Sequence, residues 1–312
     1  MSPRGEQAMV PEAQFDSYYG RPILKEPTWK ADIPFYLFAG GMAGASAVLA
    51  EGAAVRGLPA LERVARLSAV GGAAAGTVAL VHDLGRPSRF LNMLRVLKPT
   101  SPMSVGSFIL APFSGLATAA AGSNLTGLLP TLGRLAGAGS GVLGLPLTTY
   151  TAALVADTAI PAWHDAHREL PFVFAGSGAA AAGGLAMIFT PVAQSGPAVR
   201  MALAGAAAET AAAEVMSHRL GFVGEPYRQG RGGTLMKVAR GLTAGGAAAA
   251  VLGGRRRWTR AIGGASFLAG SAITRFGIFE AGKQSARDPK YTVTPQRERV
   301  AKRQAEAHRT RV

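Results

Sequence analysis

The sequence predicts an all-α integral membrane protein with eight transmembrane helices, and three observations carry that expectation. Residues 33–50, 99–133, 135–156 and 170–199 contain no Asp, Glu, Lys or Arg. A helix needs roughly 20 mostly apolar residues to cross about 30 Å of hydrocarbon, and these stretches supply them. Charged residues make up only 16% of the chain, against ~25% in soluble domains. The charges that do occur gather between the apolar stretches and in the C-terminal tail. Forty-one glycines show no Gly-X-Y period, and Leu, Val, Phe and Met recur among them, which excludes collagen-like and low-complexity readings.

In chain order the predicted spans are 34–55, 64–81, 103–122, 141–160, 170–190, 199–217, 236–253 and 258–279. The first, third, fourth and fifth are the strong ones, each drawn largely from a charge-free stretch. The sixth contains Glu209 and Glu214. The last two are short, so Lys237, Arg240, Arg255, Arg260 and Arg275 would have to reach the interfaces along their aliphatic stems. A six-span count is the alternative. Small residues four apart, such as Gly40 and Gly44, Gly72 and Gly76, Gly137 and Gly141, or Gly241 and Gly245, suit helices that approach closely.

Eight spans put both termini on one side. That side, with the loops after spans two, four and six, holds most of the 33 basic residues, so the positive-inside rule places the termini in the cytoplasm. The first 32 residues lack the basic start and apolar run of a signal peptide. The formal net charge of +15 is explained by orientation and anionic lipid rather than by nucleic acid, because the cations lie in short loops and the tail. With no cysteine, the chain supplies no thiolate for an iron–sulfur cluster, a zinc site or a disulfide.

The chemistry-bearing residues stand out against this background. "HDLGRPSRFLNMLRVLKPTSPMSVGSF", residues 82–108, reads as a membrane-edge loop. His82 and Asp83 end span two as a titratable pair suited to carrying protons. An amphipathic segment, "SRFLNMLRVL", then presents Phe90, Leu91, Leu94 and Leu97 on one face. Arg86, Arg89, Arg95 and Lys98 are expected to meet lipid phosphates or a partner. Asp157 falls within the predicted fourth span, where an unpaired carboxylate is unfavourable. Glu209 and Glu214 fall within the sixth, with His218 four residues beyond Glu214 on the same face. Buried carboxyls become neutral or pair, and chains of them can carry protons, so these three form a candidate second-half proton path. Packing and pairing roles remain the alternatives at each position. Arg275 and Glu280 are expected to pair at the end of span eight.

The loop 82–108 resembles the signature loop of the NrfD/polysulfide reductase membrane-subunit family. "DIPFYLFAGGMAGAS", "TAIPAWHDAHRELPFVFAGS" and "RFGIFEAGKQSARDPKYTVTPQRER" extend the resemblance over most of the chain. The resemblance implies two four-helix bundles, residues 33–165 with a quinone site and 166–282, between a polar tail at 1–32 and a basic tail at 283–312. It implies a subunit without haem or metal that anchors an iron–sulfur ferredoxin-like protein and a molybdopterin catalytic protein, and exchanges electrons with a quinone, menaquinone being the expected one. A quinone needs hydrogen-bond donors at its carbonyls and a protonatable group. The matching positions offer Tyr36, His82, Asp83, Tyr150, Asp157 and His164. The charge count would place the partners in the cytoplasm, which suits a formate dehydrogenase-like enzyme. An ion or proton transporter, and a structural anchor without a working quinone site, are the competing classes.

Overall fold

The computed structural model describes residues 23–254 and 256–309, and the side chains among these up to residue 306. Arg255 and the first 22 residues of the polar tail, both covered by the expectations above, lie outside the described residues. Among the described residues the regular elements are helices: α1 (Asp32–Val55), α2 (Pro59–Asp83), α3 (Arg89–Met93), α4 (Pro102–Thr126), α5 (Pro130–Ala156), α6 (Pro161–His164), α7 (Leu170–Phe189), α8 (Gly196–Leu220), α9 (Gly230–Leu252), α10 (Arg257–Arg287) and α11 (Lys290–Arg309). Among the described residues, seven helices are long and apolar enough to cross a membrane: α1, α2, α4, α5, α7, α9 and α10. The chain is therefore a multi-pass membrane protein. Helix α8 has the length, but Arg200, Glu209, Glu214 and Arg219 keep it out of that set.

Proline sets several of the starts. It stands in the first turn of α2, α4, α5, α7 and α8, where its missing N–H removes no helical bond. Helix α5 begins at Pro130, eleven residues before the predicted start of span four, because Gly127 turns left-handed at φ 72° to end α4 and the chain re-enters a helix at once. Arg134 did not stop it, since its side chain faces outward. The last two long helices are also longer than expected. Helix α10 runs 31 residues, about 46 Å at 1.5 Å per residue, so it spans the hydrocarbon and continues beyond it.

Helix α1 packs on α2 and α5, and α4 packs on α5 and α2; α7 packs on α8 and α10, and α10 on α9. The two sets meet mainly where α1 and α5 contact α7. Lipid offers no hydrophobic drive for helices to associate, so close backbone approach supplies the packing. A Cβ on Gly44 would strike the carbonyl of Gly144 in α5, and one on Gly178 would strike the backbone of Gly41. The tight glycines thus pair across helices. Of the four-apart pairs in the sequence, Gly40, Gly241 and Gly245 would meet nothing within 4 Å.

An irregular strap of residues before α1 ties the ends together. Trp29 stacks on the fully buried Trp163 of α6, ring centroids 6.1 Å apart. Trp163 donates from Nε1 to the Ile278 carbonyl at 2.8 Å. Glu26 accepts from Arg287 at 2.6 Å and pairs with Lys283 at 3.1 Å. The start of α1 and the end of α10 therefore lie at the same end of the molecule.

Two predictions follow from these contacts. Gly44→Ala is expected to lower stability by about 1–3 kcal/mol through overpacking, whereas Gly40→Ala is neutral or better. Thermal unfolding in detergent separates the two, and equal effects would remove the crossing as the cause. The hydrogen bond from Arg287 holds the Glu26 carboxyl down at about 2, below its ordinary 4.5. A depressed carboxyl stabilises above its unfolded value and loses that contribution as pH falls from about 4.5 through about 2. Proteolysis within residues 23–31 is thus expected to stay flat from pH 8 to 5, while Glu26→Gln raises it at every pH.

Candidate functional site

The residues singled out by sequence fall into three separate places. Tyr36 is buried in the apolar core shared by α1, α2, α4 and α5, with Leu80, Leu110, Phe113 and Leu147 in the same cluster. Tyr150 packs against that cluster from α5, its ring filling the space left by Gly106 of α4. The Tyr150 hydroxyl is buried and has no hydrogen-bond partner among the described residues. A buried donor without a partner loses roughly 1–3 kcal/mol, which makes it a point where a ligand oxygen would be favoured. The two tyrosines stand among other buried polar residues of this helix set, which include Ser46, Arg66, Ser107, Ser140, Thr148 and Thr151.

The second place is the rim. His82 is largely exposed, and its Nδ1 lies 3.1 Å from Asp32 Oδ1 at the start of α1. Asp83 accepts weakly from the Lys30 backbone N–H at 3.5 Å. Sequence reasoning missed Asp32; the signal was its place at the first turn of the span that pairs with the end of span two. Asp157 was expected within the fourth span, but it caps the C-terminus of α5 and is exposed. The helix stops there as the chain turns toward Pro161, so Asp157 stands at a helix end rather than inside a helical span. His164 is exposed, with Nδ1 3.2 Å from the Ala156 carbonyl. None of these rim groups reaches Tyr36 or Tyr150 through a hydrogen bond.

The basic loop departs from the amphipathic segment expected of it. Only Arg89–Met93 is helical, and Phe90 and Met93 are the residues that pack on the core. Leu91 and Leu97, expected on the same apolar face as Phe90, are exposed rather than packed on the protein core. Serines at the start of α4 claim the following backbone: Ser104 Oγ donates to the Val96 carbonyl at 3.2 Å and accepts from the Lys98 N–H at 2.9 Å. Arg86, Arg89, Arg95 and Lys98 are all exposed.

The third place lies among α1, α7, α8 and α10. Arg275 has no exposed surface, so it neither reaches an interface nor pairs with Glu280 as the sequence suggested. It donates from Nη2 to the Phe174 carbonyl at 2.8 Å and more weakly from Nε to the Leu37 carbonyl at 3.4 Å. Its guanidinium lies 3.8 Å from the centre of the Phe174 ring. Gly41 leaves the room for it. Glu209 is the buried carboxylate within its electrostatic reach, and accepts from Thr274 Oγ1 at 2.7 Å. Ser177 and Ser271 share a hydrogen bond of 2.8 Å nearby on α7 and α10. Glu214 and His218 do not join this cluster. They pair with each other at 3.3 Å on the exposed face of α8, where Glu214 also meets Arg240 at 3.5 Å.

Seven apolar helices and the ionisable groups buried among them define a polytopic helical membrane protein. Residues 24–216, more than half of the chain, match the family described as "Polysulphide reductase, NrfD", so the chain belongs to the NrfD family. The match runs from the strap through most of α8. Comparison with curated proteins gave no match.

Among the described residues Arg275 and Glu209 form no direct hydrogen bond, but both are buried ionisable groups within electrostatic reach, and leaving one of two interacting buried charges uncompensated costs about 3–5 kcal/mol. Arg275→Met is expected to destabilise the chain on that scale, and adding Glu209→Gln is expected to recover part of the loss. A double-mutant cycle by thermal unfolding checks it, and additive effects would show that the two groups do not interact.

Proposed function

We propose that the chain is the membrane anchor and quinone-reacting subunit of a multisubunit oxidoreductase. It passes electrons between a partner iron–sulfur subunit and the quinone pool, with menaquinone as the expected quinone. The family membership carries this reading. Members of the family usually pair with iron–sulfur and molybdopterin subunits. Reduction of a quinone takes two electrons and two protons. The electrons arrive from the partner's clusters, since this chain has no cysteine; the chain's own residues bind the ring, exclude water and deliver protons.

Eight crossings in two four-helix bundles, residues 33–165 and 166–282, fit this role. The contact of Glu26 with Arg287 supports an even number of crossings. Helix α8 is the eighth: it lies against α7, with its Arg219 bonded back to Glu169 at the start of α7. In the first bundle, the unpartnered hydroxyl of Tyr150 is the donor for a quinone carbonyl, with Tyr36 in the same interior and His82 and Asp83 at the rim as the proton-exchanging groups. Asp157 and His164 lie on the rim beside the strap and α6, where a partner subunit would dock. Arg86, Arg89, Arg95 and Lys98 provide cations for that partner or for lipid headgroups. The charge bias places this face and both termini in the cytoplasm of a cell-membrane protein, which suits a formate dehydrogenase-like partner. A proton-carrying second bundle is a further reading favoured by the burial of Glu209; Glu214 and His218 would serve it only at the surface.

Two measurements test the proposal. A C-terminal tag on the full chain, solubilised mildly from native membranes, is expected to co-purify an iron–sulfur ferredoxin-like protein and a molybdopterin protein by mass spectrometry. Reproducible isolation without any redox partner would instead favour the transporter class. In the assembled complex, Tyr150→Phe is expected to lower quinone turnover about tenfold, equivalent to roughly 1.4 kcal/mol. Unchanged turnover with intact assembly would remove Tyr150 from the site.

A further inference from the structure

Residues 253–260 read "GGRRRWTR", four arginines within eight residues, and no Asp or Glu occurs anywhere from 226 to 279. These arginines form the turn between α9 and α10. The other end of α10 reaches the strap through Arg287. The turn therefore lies at the end of the molecule opposite the strap, where the charge bias expects few cations.

Two of the arginines hold the turn itself. Arg257 donates from Nη1 to the Thr190 carbonyl at 2.6 Å, and Arg260 donates to the Gly254 carbonyl and to Ser195 Oγ, each at 3.2 Å. They tie the start of α10 to the segment between α7 and α8. Arg256 differs from both: it is exposed, and no described residue bonds or pairs with its side chain. With Ala248, Leu252, Gly253, Trp258 and Thr259, it lines a cavity of about 690 Å³, within the ~300–1,000 Å³ of small-molecule sites. The Thr259 hydroxyl already bonds the Gly253 and Arg256 carbonyls. The Arg256 guanidinium and the Trp258 indole are left as side-chain donors without a partner among the described residues. No lining residue carries a negative charge.

Apolar surface continues from the cavity along α9. Leu252 is 84% exposed, and Ala248, Gly245 and Gly241 follow it on one helical face at steps of four and three. All three are exposed, and a Cβ at Gly245 or Gly241 would meet nothing within 4 Å. The strip is roughly 16 Å long at 1.5 Å per residue, and α9 is the least buried of the seven apolar helices. A free cation and an amphipathic tryptophan at the end of an open apolar strip match a ligand with an anionic head and a hydrocarbon tail.

We propose that the α9–α10 turn binds an anionic phospholipid of the phosphatidylglycerol type. Its phosphate pairs with Arg256, the Trp258 ring lies at the level of the headgroup, and one acyl chain follows the strip from Leu252 to Gly241. The lipid neutralises the arginine cluster and covers the most open of the apolar helices. The site stands apart from the quinone reading, because it uses no residue of the first bundle.

The test is native mass spectrometry of the full chain, released from nanodiscs that hold phosphatidylglycerol and phosphatidylcholine in equal amounts. The expected result is preferential retention of phosphatidylglycerol, unaffected by excess inorganic phosphate. Arg256→Gln is expected to lower that retention about fivefold, the scale of one cation at an anionic membrane surface, and Arg256→Lys to keep most of it. Lys302→Gln removes the same charge from an exposed position on α11 and is expected to leave retention as it was. Equal loss in Arg256→Gln and Lys302→Gln would show a diffuse charge effect and overturn the site. Equal retention of the two lipids, or displacement by inorganic phosphate, overturns it too. A co-purifying protein that Arg256→Gln releases, with lipid retention unchanged, would place an acidic partner at the turn and overturn the lipid.

Discussion

The architecture depends on a guanidinium held away from water. Arg275 sits among apolar helices with no exposed surface, and a charge in that position persists only when neighbouring dipoles and counter-charge surround it. Its surroundings come from several helices: the Leu37 carbonyl of α1, the carbonyl and ring of Phe174 of α7, and Glu209 of α8. No single helix could provide that set. The arginine therefore requires α1, α7, α8 and α10 to converge, and it joins the two halves of the chain at one point. Glycine makes the convergence sterically feasible, because Gly41 admits both the guanidinium and the backbone of Gly178.

The same logic explains why α8 can be rich in charge and still take its place among apolar helices. Its ionisable groups separate by face. Glu209 turns inward to Thr274 and Arg275, while Glu214 turns outward to His218 and Arg240. Near its C-terminus Arg219 forms paired hydrogen bonds with Glu169, whose carboxyl is held below its usual range by that contact. A hydropathy average cannot distinguish a charge that has a partner from one that lacks it, so α8 falls outside the apolar set by composition.

Much of the helical layout was legible because charge-free sequence reports it directly. The residues that escaped the sequence are those whose meaning depends on a neighbour from far along the chain. Helix α5 starts early because Arg134 faces outward, and facing is a property of the packed bundle. Arg275 resembled a snorkelling residue because it follows a short apolar run, but its partners lie 101 and 238 residues away. Asp157 resembled an intramembrane carboxylate because no charge precedes it for many residues; the helix ends one residue before it. The tyrosines of the candidate site were legible as polar groups in apolar spans, and the unpartnered state of the Tyr150 hydroxyl was not.

Helix α1 is the structural element that these separate features share. One of its faces places Tyr36 in the interior shared with Tyr150. A second, through Phe35, Ala39 and Met42, forms a wall of an apolar groove with α2 and α7. A third presents the Leu37 carbonyl and Gly41 to Arg275 and α7. Its first residue, Asp32, meets His82. Successive helical residues are 100° apart, so a rotation that improved one of these contacts would spoil the others. The register of α1 is consequently fixed by three neighbours at once, and its place in the bundle follows from all of them together rather than from any one contact.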